Sequence, residues 1–166
     1  MSDTPPRPGP NRRKVRLMRP DDPPDDLFVV VRATPSRRDV AAAKIAEDAE
    51  ESARVYAVVD GDGTVILHGV SVFAHRGDVD VADVLRRFPF APSYVTTTVG
   101  ALRGAGFPVL ATGANPDHFD VQLVPGRPVE HGSADHATVV EAARRLLDIA
   151  GDLRPNPAYA VPQEER

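Results

Sequence analysis

Apolar residues in this chain fall into short runs separated by Gly, Pro, Asn and Asp. Runs rich in Val, Ile, Phe, Tyr and Thr favour strands, and the clearest alternation of polar and apolar residues lies at 118–124. The pattern predicts strands at 27–33, 55–59, 64–67, 70–74, 94–98, 108–112 and 118–124.

Other segments repeat apolar residues at helical spacing. They predict helices at 36–54, 81–88, 99–105 and 133–149. Thr98 is a suitable N-cap for the third helix, and Gly106 suits the left-handed residue that ends it. We therefore expect an α+β fold in which a mixed or antiparallel sheet of about five or six strands is flanked by three or four short helices.

The ends of the chain differ in composition from its middle. Residues 1–26 are rich in proline and poor in apolar residues, so we expect a disordered Pro-rich arm there, with an edge strand at 15–18 as the alternative. A basic cluster at 11–16 is either a solvated segment or a contact for nucleic acid or a partner protein. The predicted domain covers 27–153, and 154–166 forms an extended C-terminal tail.

Composition excludes several classes of protein. The 166 residues include no Cys, which removes disulfides, thiol nucleophiles and Cys-based zinc sites. The net charge of −4 argues against a general nucleic-acid binder. The sequence contains neither a long apolar run nor a signal-peptide pattern, so we expect a cytoplasmic protein with no membrane partner. The five His are scattered without ligand spacing, and we expect no metal site.

Polar residues on the strand at 118–124 form the first candidate site. His118, Asp120 and Gln122 share one face of that strand because side chains alternate. This face either looks at water, as is common in antiparallel sheets, or forms the floor of a pocket with Thr96 or Thr98.

Two further polar residues stand in otherwise apolar strands. Arg32 ends the run at 27–33, which is apolar enough to be a central strand, and its guanidinium either reaches solvent or meets a carboxylate or phosphate. Ser71 is the only hydroxyl in the apolar run at 70–74. It either satisfies a backbone group or lies beside a ligand. Gly69, just before it, marks a bulge or a close approach of the backbone.

Several stretches together resemble an uncharacterised family of small actinobacterial proteins. They are LFVVVRA at 27–33, GVSVFA at 69–74, TTVGALRGAGF at 97–107, PDHFDVQL at 116–123 and RPNPAY at 154–159. The resemblance covers roughly residues 27–159 and implies no particular reaction.

An Arg at the end of the first strand and a Ser in a middle strand also resemble a second group. These are small bacterial toxins with an ADP-ribosyltransferase-like fold, including RES-domain toxins. The resemblance implies that Arg32 holds an NAD phosphate and that Ser71 supports the ribose. Gln122 or Asp120 would then polarise the reacting centre, and NAD would be a substrate with no permanently bound cofactor.

Two hypotheses about function follow. In the first, the chain is a toxin-like effector that binds NAD or a nucleotide, as an ADP-ribosyltransferase or NAD glycohydrolase, and Thr97 joins Ser71 at the ribose. His118 would act with Asp120 or Gln122. In the second, the chain is a non-catalytic protein-binding module, either an antitoxin or immunity protein or an adaptor, whose disordered Pro-rich arm carries the partner-binding segment. Either hypothesis implies a cognate protein partner, an antitoxin or a toxin.

Overall fold

The computed structural model describes residues 14–33, 38–60, 63–65, 69–124 and 136–160. The predicted starts of the first and last helices, at 36 and 133, lie outside these residues. In chain order the elements are β1 (Lys14–Leu17), β2 (Phe28–Ala33), α1 (Arg38–Val55), β3 (Tyr56–Asp60), β4 (Gly63–Val65), β5 (Gly69–His75), α2 (Val81–Leu85), β6 (Ser93–Thr98), α3 (Val99–Gly104), β7 (Val109–Ala111), β8 (His118–Gln122), α4 (His136–Ala150) and β9 (Arg154–Pro155).

Six of the strands form one sheet in the order β7-β8-β5-β2-β6-β9. Every neighbouring pair in it is antiparallel. The continuous apolar run of β2 lies between two other strands, as the sequence predicted. The α+β class and the six-stranded sheet are confirmed, with four helices in the described part of the chain. No helix there is long and apolar enough to span a membrane.

One face of the six-stranded sheet carries the main hydrophobic core. Val29 and Val31 of β2 pack there with side chains from α1 and α4, and all are buried. The contacting side of α1 is rich in alanine, which lets the helix lie close to the sheet. α4 contributes Leu146 and Leu147, and each fully buried leucine stabilises the fold by about 1.5–3 kcal/mol.

The opposite face of the sheet is covered only in part. Val30 and Tyr94 pack there against Val84 and Leu85 of α2, with Ala158 from the C-terminal segment beside them. The rest of this face, over β5, β8 and the end of β7, is contacted by Arg16 and Arg19 of the segment that contains β1. This part of the sheet carries the polar residues described below.

Residues 14–26 belong to the domain, so the predicted arm at 1–26 ends too late in the sequence, and the alternative of an edge strand at 15–18 is the one that agrees with β1. β1 pairs in parallel with β3, which pairs with β4, and the three strands form a second small sheet. Asp22 and Asp25 then form ion pairs with Arg103 of α3. Composition alone missed these contacts because the partners are distant in sequence. Residues 1–13 lie outside the described part of the chain.

The start of the predicted C-terminal tail is also attached to the domain. β9 extends the six-stranded sheet by pairing with β6. The buried amide of Asn156 donates hydrogen bonds to the carbonyls of Phe88 and Ala91, at 3.0 and 2.8 Å. Residues 154–160 therefore hold the turn after α2 in place, while 161–166 lie outside the described residues.

Candidate functional site

Strand pairing brings the polar residues of β5 and β8 together. Ser71 lies opposite Asp120, and Gly69 lies opposite Gln122. Residues directly opposite each other in an antiparallel pair share a face. Ser71, His118, Asp120 and Gln122 therefore lie on the face of the sheet opposite the main core. The alternation predicted this shared face for the three residues of β8.

Arg32 lies on this same face. It stands two residues beyond Val30, which pairs with Phe73, and Ser71 stands two residues before Phe73. The pairing of β2 with β5 stops at Val30, and a cavity opens beyond it. Both Arg32 and Ser71 line that cavity.

Thr97 does not reach this site, and its predicted place beside Ser71 is wrong. It pairs with Val29, whose side chain points into the core under α1 and α4. Paired residues share a face, so Thr97 lies on the same face as Val29 and points away from Ser71. Thr96 and Thr98 are on the correct face, but β6 is three strands from β8, or about 14 Å. They form no pocket floor with His118.

His118 connects Ser71 to Thr112, which follows β7. Its Nε2 lies 3.1 Å from the Ser71 Oγ. Its Nδ1 lies 3.0 Å from the Thr112 carbonyl oxygen and 3.1 Å from the Thr112 Oγ1. The edge of the imidazole also contacts the ring of Phe73, with 5.2 Å between centroids. Both ring nitrogens are thus occupied within the protein.

Burial lowers the pKa of His118 below its ordinary value of 6.5. The positive charges of Arg16 and Arg19 lower this pKa further, whereas Asp120 and the Thr112 carbonyl oppose the shift. The imidazole is therefore neutral at pH 7, with one nitrogen donating and the other accepting.

Asp120 is a buried carboxylate, 2% exposed. Its Oδ2 accepts hydrogen bonds from the Thr112 hydroxyl at 2.7 Å and from Arg16 at 3.2 Å. Its Oδ1 has no hydrogen-bond partner in the described part of the chain. A Cβ at Gly69 would lie only 3.3 Å from this oxygen, so the predicted close approach at Gly69 is confirmed.

Two arginines from the segment assigned to the arm complete the site. Arg16 of β1 carries its guanidinium 4.0 Å above the ring of Tyr56 while it pairs with Asp120. Arg19 donates to the carbonyls of Thr112 at 2.6 Å and of His118 at 3.0 Å, and so fixes the turn between β7 and β8. Sequence reasoning missed both residues because it treated 1–26 as disordered.

The cavity beside Ser71 has a volume of about 300 Å³. It lies between the C-terminal half of α1, the small sheet and the diverging ends of β2 and β5. Its polar lining consists of Arg16, Arg32, Asp48, Glu51, Ser52 and Ser71. Cationic and anionic side chains therefore face the same space.

The charges around the cavity are unevenly paired. Arg16 is matched by Asp120, and Asp48 lies 3.2 Å from Lys44, whose pKa it raises. Arg32 instead lies over the rings of Phe88 and Phe90, at 5.7 and 5.3 Å. Within the residues that the structure describes, no carboxylate forms an ion pair with Arg32. Among the described residues that line this cavity, Arg32 therefore offers a guanidinium that an anionic ligand could engage.

Among the described residues, no cluster of His, Asp and Glu could hold a metal ion. Comparisons with protein-family models, with curated proteins and with solved structures found no match for this chain. The two resemblances therefore remain expectations from the sequence, and function has to be argued from the cavity and its residues.

Proposed function

We propose that this cavity binds a nucleotide or NAD and that the chain is a toxin-like effector acting on this ligand. The observation that supports the proposal is that Arg32 and Ser71 line one cavity, with the Arg32 guanidinium unmatched by a carboxylate among the described residues. Phosphate is a ligand that the planar donor fork of arginine binds well.

The other lining residues suit the rest of such a ligand. The rings of Phe88 and Phe90 restrain Arg32, which reduces the entropy that phosphate binding would cost. Glu51 and Ser52 offer acceptors for ribose hydroxyls, as acidic residues do in dinucleotide sites. A volume of about 300 Å³ is at the lower end for ligand pockets, so it matches a mononucleotide or one half of NAD.

Thermal unfolding with and without ligand tests this proposal. NAD, nicotinamide mononucleotide and AMP are each added at millimolar concentration. A ligand at about 100 times its Kd raises the free energy of unfolding by about 2.7 kcal/mol, and the Tm by about 5–10 °C. We expect the rise to be lost in Arg32→Ala.

The matched control is Arg87→Ala. Arg87 also lies over an aromatic ring, that of Phe73 at 5.9 Å, but it does not line this cavity. The control should keep the full rise. A wild-type protein that none of the three ligands stabilises, or an Arg32→Ala variant that responds normally, contradicts the proposal.

The effector role is tested separately, by expression. A toxin that consumes a nucleotide should stop growth when it is made without its antitoxin, and Arg32→Ala should restore growth at equal protein level. Unimpaired growth of cells that contain the wild-type protein contradicts the toxin role, even where ligand binding is measured.

The second candidate function is that of a protein-binding module, and the exposure of β1 favours it. Val15 and Leu17 are 62% and 66% exposed on the outer face of the small sheet. Toxin and antitoxin genes lie side by side, so the product of the neighbouring gene is the cognate partner to test. Val15→Glu with Leu17→Glu should abolish binding to it while the Tm stays unchanged. Binding that survives this double substitution removes β1 as the contact.

A further inference from the structure

The hydrogen-bond network around His118 has a single consistent direction when Asp120 is ionised. The carboxylate can only accept, so the single proton of the Thr112 hydroxyl goes to Asp120 Oδ2. The Thr112 Oγ1 and carbonyl oxygen must then both accept from Nδ1–H of His118. A neutral ring protonated at Nδ1 accepts at Nε2, so the Ser71 hydroxyl donates its proton there.

This arrangement is that of an activated serine. A nucleophile lies within hydrogen-bond reach of a base, and a third group fixes the orientation and tautomer of the base. Ser71 Oγ and His118 Nε2 are 3.1 Å apart, and the Thr112 carbonyl provides the third group at 3.0 Å. Ser71 also lines the cavity, so a ligand can reach its hydroxyl.

We infer that Ser71 is a nucleophile, with His118 as its general base, that cleaves a phosphate ester held by Arg32. The substrate class rests on the proposed function of the cavity, whereas the nucleophile rests on the hydrogen bonds of Ser71 and His118. The inference differs from the expectation that Ser71 only supports a ribose.

The reaction is balanced without a further reactant other than water. The Ser71 oxygen bonds to phosphorus as its proton passes to His118 Nε2, and the bond from phosphorus to the leaving oxygen breaks. His118 returns the proton to that leaving oxygen, which departs as an alcohol. Water then attacks the phosphoserine, gives its proton to His118 and releases phosphate as Ser71 regains its hydroxyl proton.

The surrounding charges suit each part of this reaction. Arg32 would bind the phosphoryl oxygens and stabilise the negative charge of the transition state. The lowered pKa of His118 keeps the base unprotonated at neutral pH. Thr112, Asp120 and Arg19 act through the imidazole and its turn and are positioning residues.

A fluorophosphonate probe tests the nucleophile directly. Attack by Ser71 forms an oxygen–phosphorus bond and expels fluoride, which adds the phosphonyl mass to the intact protein. We expect peptide mass spectrometry to place this mass on Ser71. It should be absent in Ser71→Ala and present in Ser52→Ala, because Ser52 lines the same cavity without a bond to His118 among the described contacts.

The role of His118 is tested by the rate of labelling. His118→Gln, shown to be folded by its cooperative melting, should be labelled at least about 100-fold more slowly, the usual contribution of a general base. The wild-type rate should fall to half only at a pH below 6.5, because burial, helped by the charges of Arg16 and Arg19 and opposed by that of Asp120, lowers the pKa of His118. A Ser71 that merely donates a structural hydrogen bond would show neither effect.

Two results would overturn the inference. One is a wild-type protein without label on Ser71, and the other is a folded His118→Gln variant labelled at the wild-type rate. Either result leaves the ligand-induced rise in Tm intact if the proposed function is correct. Labelling of Ser71 without any rise in Tm would instead reject the nucleotide and retain the nucleophile.

Discussion

Asp120 is a buried carboxylate that binds both Thr112 and Arg16 on the polar face of the sheet. Its buried carboxylate pairs with Arg16, whose side chain is 23% exposed. Asp120→Asn keeps the shape but leaves this arginine without its negative partner. We expect a loss of about 2–3 kcal/mol in the free energy of unfolding, below the usual cost of breaking a fully buried pair because Arg16 is partly solvated.

The control for this prediction is Asp117→Asn. Asp117 also pairs with an arginine, Arg76, but the two side chains are 33% and 51% exposed. An exposed pair contributes less than about 1 kcal/mol. Urea denaturation of both variants measures the difference, and equal losses would contradict the special role of Asp120.

His118 should make stability depend on pH. Its folded-state pKa lies below its ordinary value of 6.5, so in mild acid the unfolded chain binds a proton that the folded chain does not. Stability is therefore fully present above pH 6.5 and falls as the pH drops from 6.5 to the folded pKa. His118→Gln should reduce the slope of stability against pH just below 6.5. An unchanged slope in urea titrations at these pH values would contradict the shift.

At the scale of elements, the contact of α3 with residues 22–25 gives a pair of opposite predictions. A Cβ at Gly100 would lie 2.9 Å from Asp25 Cβ and 3.0 Å from its carbonyl oxygen, whereas one at Gly104 would meet nothing within 4 Å. Gly100→Ala should cost about 1–3 kcal/mol of stability by overpacking. Gly104→Ala should gain up to about 1 kcal/mol from helix propensity.

Urea denaturation of the two glycine variants tests this prediction, because the free energy of unfolding should fall in Gly100→Ala and rise in Gly104→Ala. Both substitutions add the same methyl group to the same helix, so propensity alone would favour both. A stable Gly100→Ala variant would mean that the segment before β2 does not lie against α3 as the structure has it.

The elements that the sequence predicted well are those defined by local patterns. Thr98 caps α3 by accepting from the backbone N–H of Ala101 at 3.1 Å, and Gly106 has the left-handed φ of 91° that ends the helix. Alternation placed His118 and Asp120 on one face because the strand period is local. Apart from β1 and β9, the element bounds that can be compared within the described residues agree with the predicted ones to within three residues.

Elements that depend on distant pairing were not predictable in this way. An edge strand at 15–18 was one alternative for the segment of β1, but its partner, β3, lies about 40 residues further along the chain, so the local sequence could not decide between strand and disordered arm. Thr97 was misplaced because its face follows from the register with β2, which its own sequence does not reveal. Nothing in the local sequence indicated a functional role for Thr112, which was predicted only as the end of a short strand.

At the scale of the whole molecule, the site joins two sheets that come from different parts of the chain. Arg16 belongs to the small sheet, whereas Asp120 and Ser71 belong to the six-stranded sheet. The connection continues in the backbone, where the Gly113 N–H donates to the Leu17 carbonyl at 2.9 Å and the Arg19 N–H donates to the Ala111 carbonyl at 2.8 Å. The segment at 14–19 therefore holds the turn that presents His118.

Deletion of residues 1–26 should consequently damage the site as well as any partner contact on β1. It removes Arg16 from the buried Asp120 and Arg19 from the carbonyls of Thr112 and His118. Leaving a buried charge unpaired costs about 3–5 kcal/mol, so the Tm should fall by about 6–20 °C. Fluorophosphonate labelling of Ser71 should fall with it, because His118 loses its fixed orientation.

A melting curve and a labelling assay on this deletion variant check both parts. If the Tm and the labelling rate stay at their wild-type values, 14–26 is an independent arm and the site does not need β1. If both fall while Val15→Glu with Leu17→Glu leaves them unchanged, β1 has two separable sides. Its inner side, through Arg16, then supports the cavity, and its outer side, through Val15 and Leu17, is free to bind a partner.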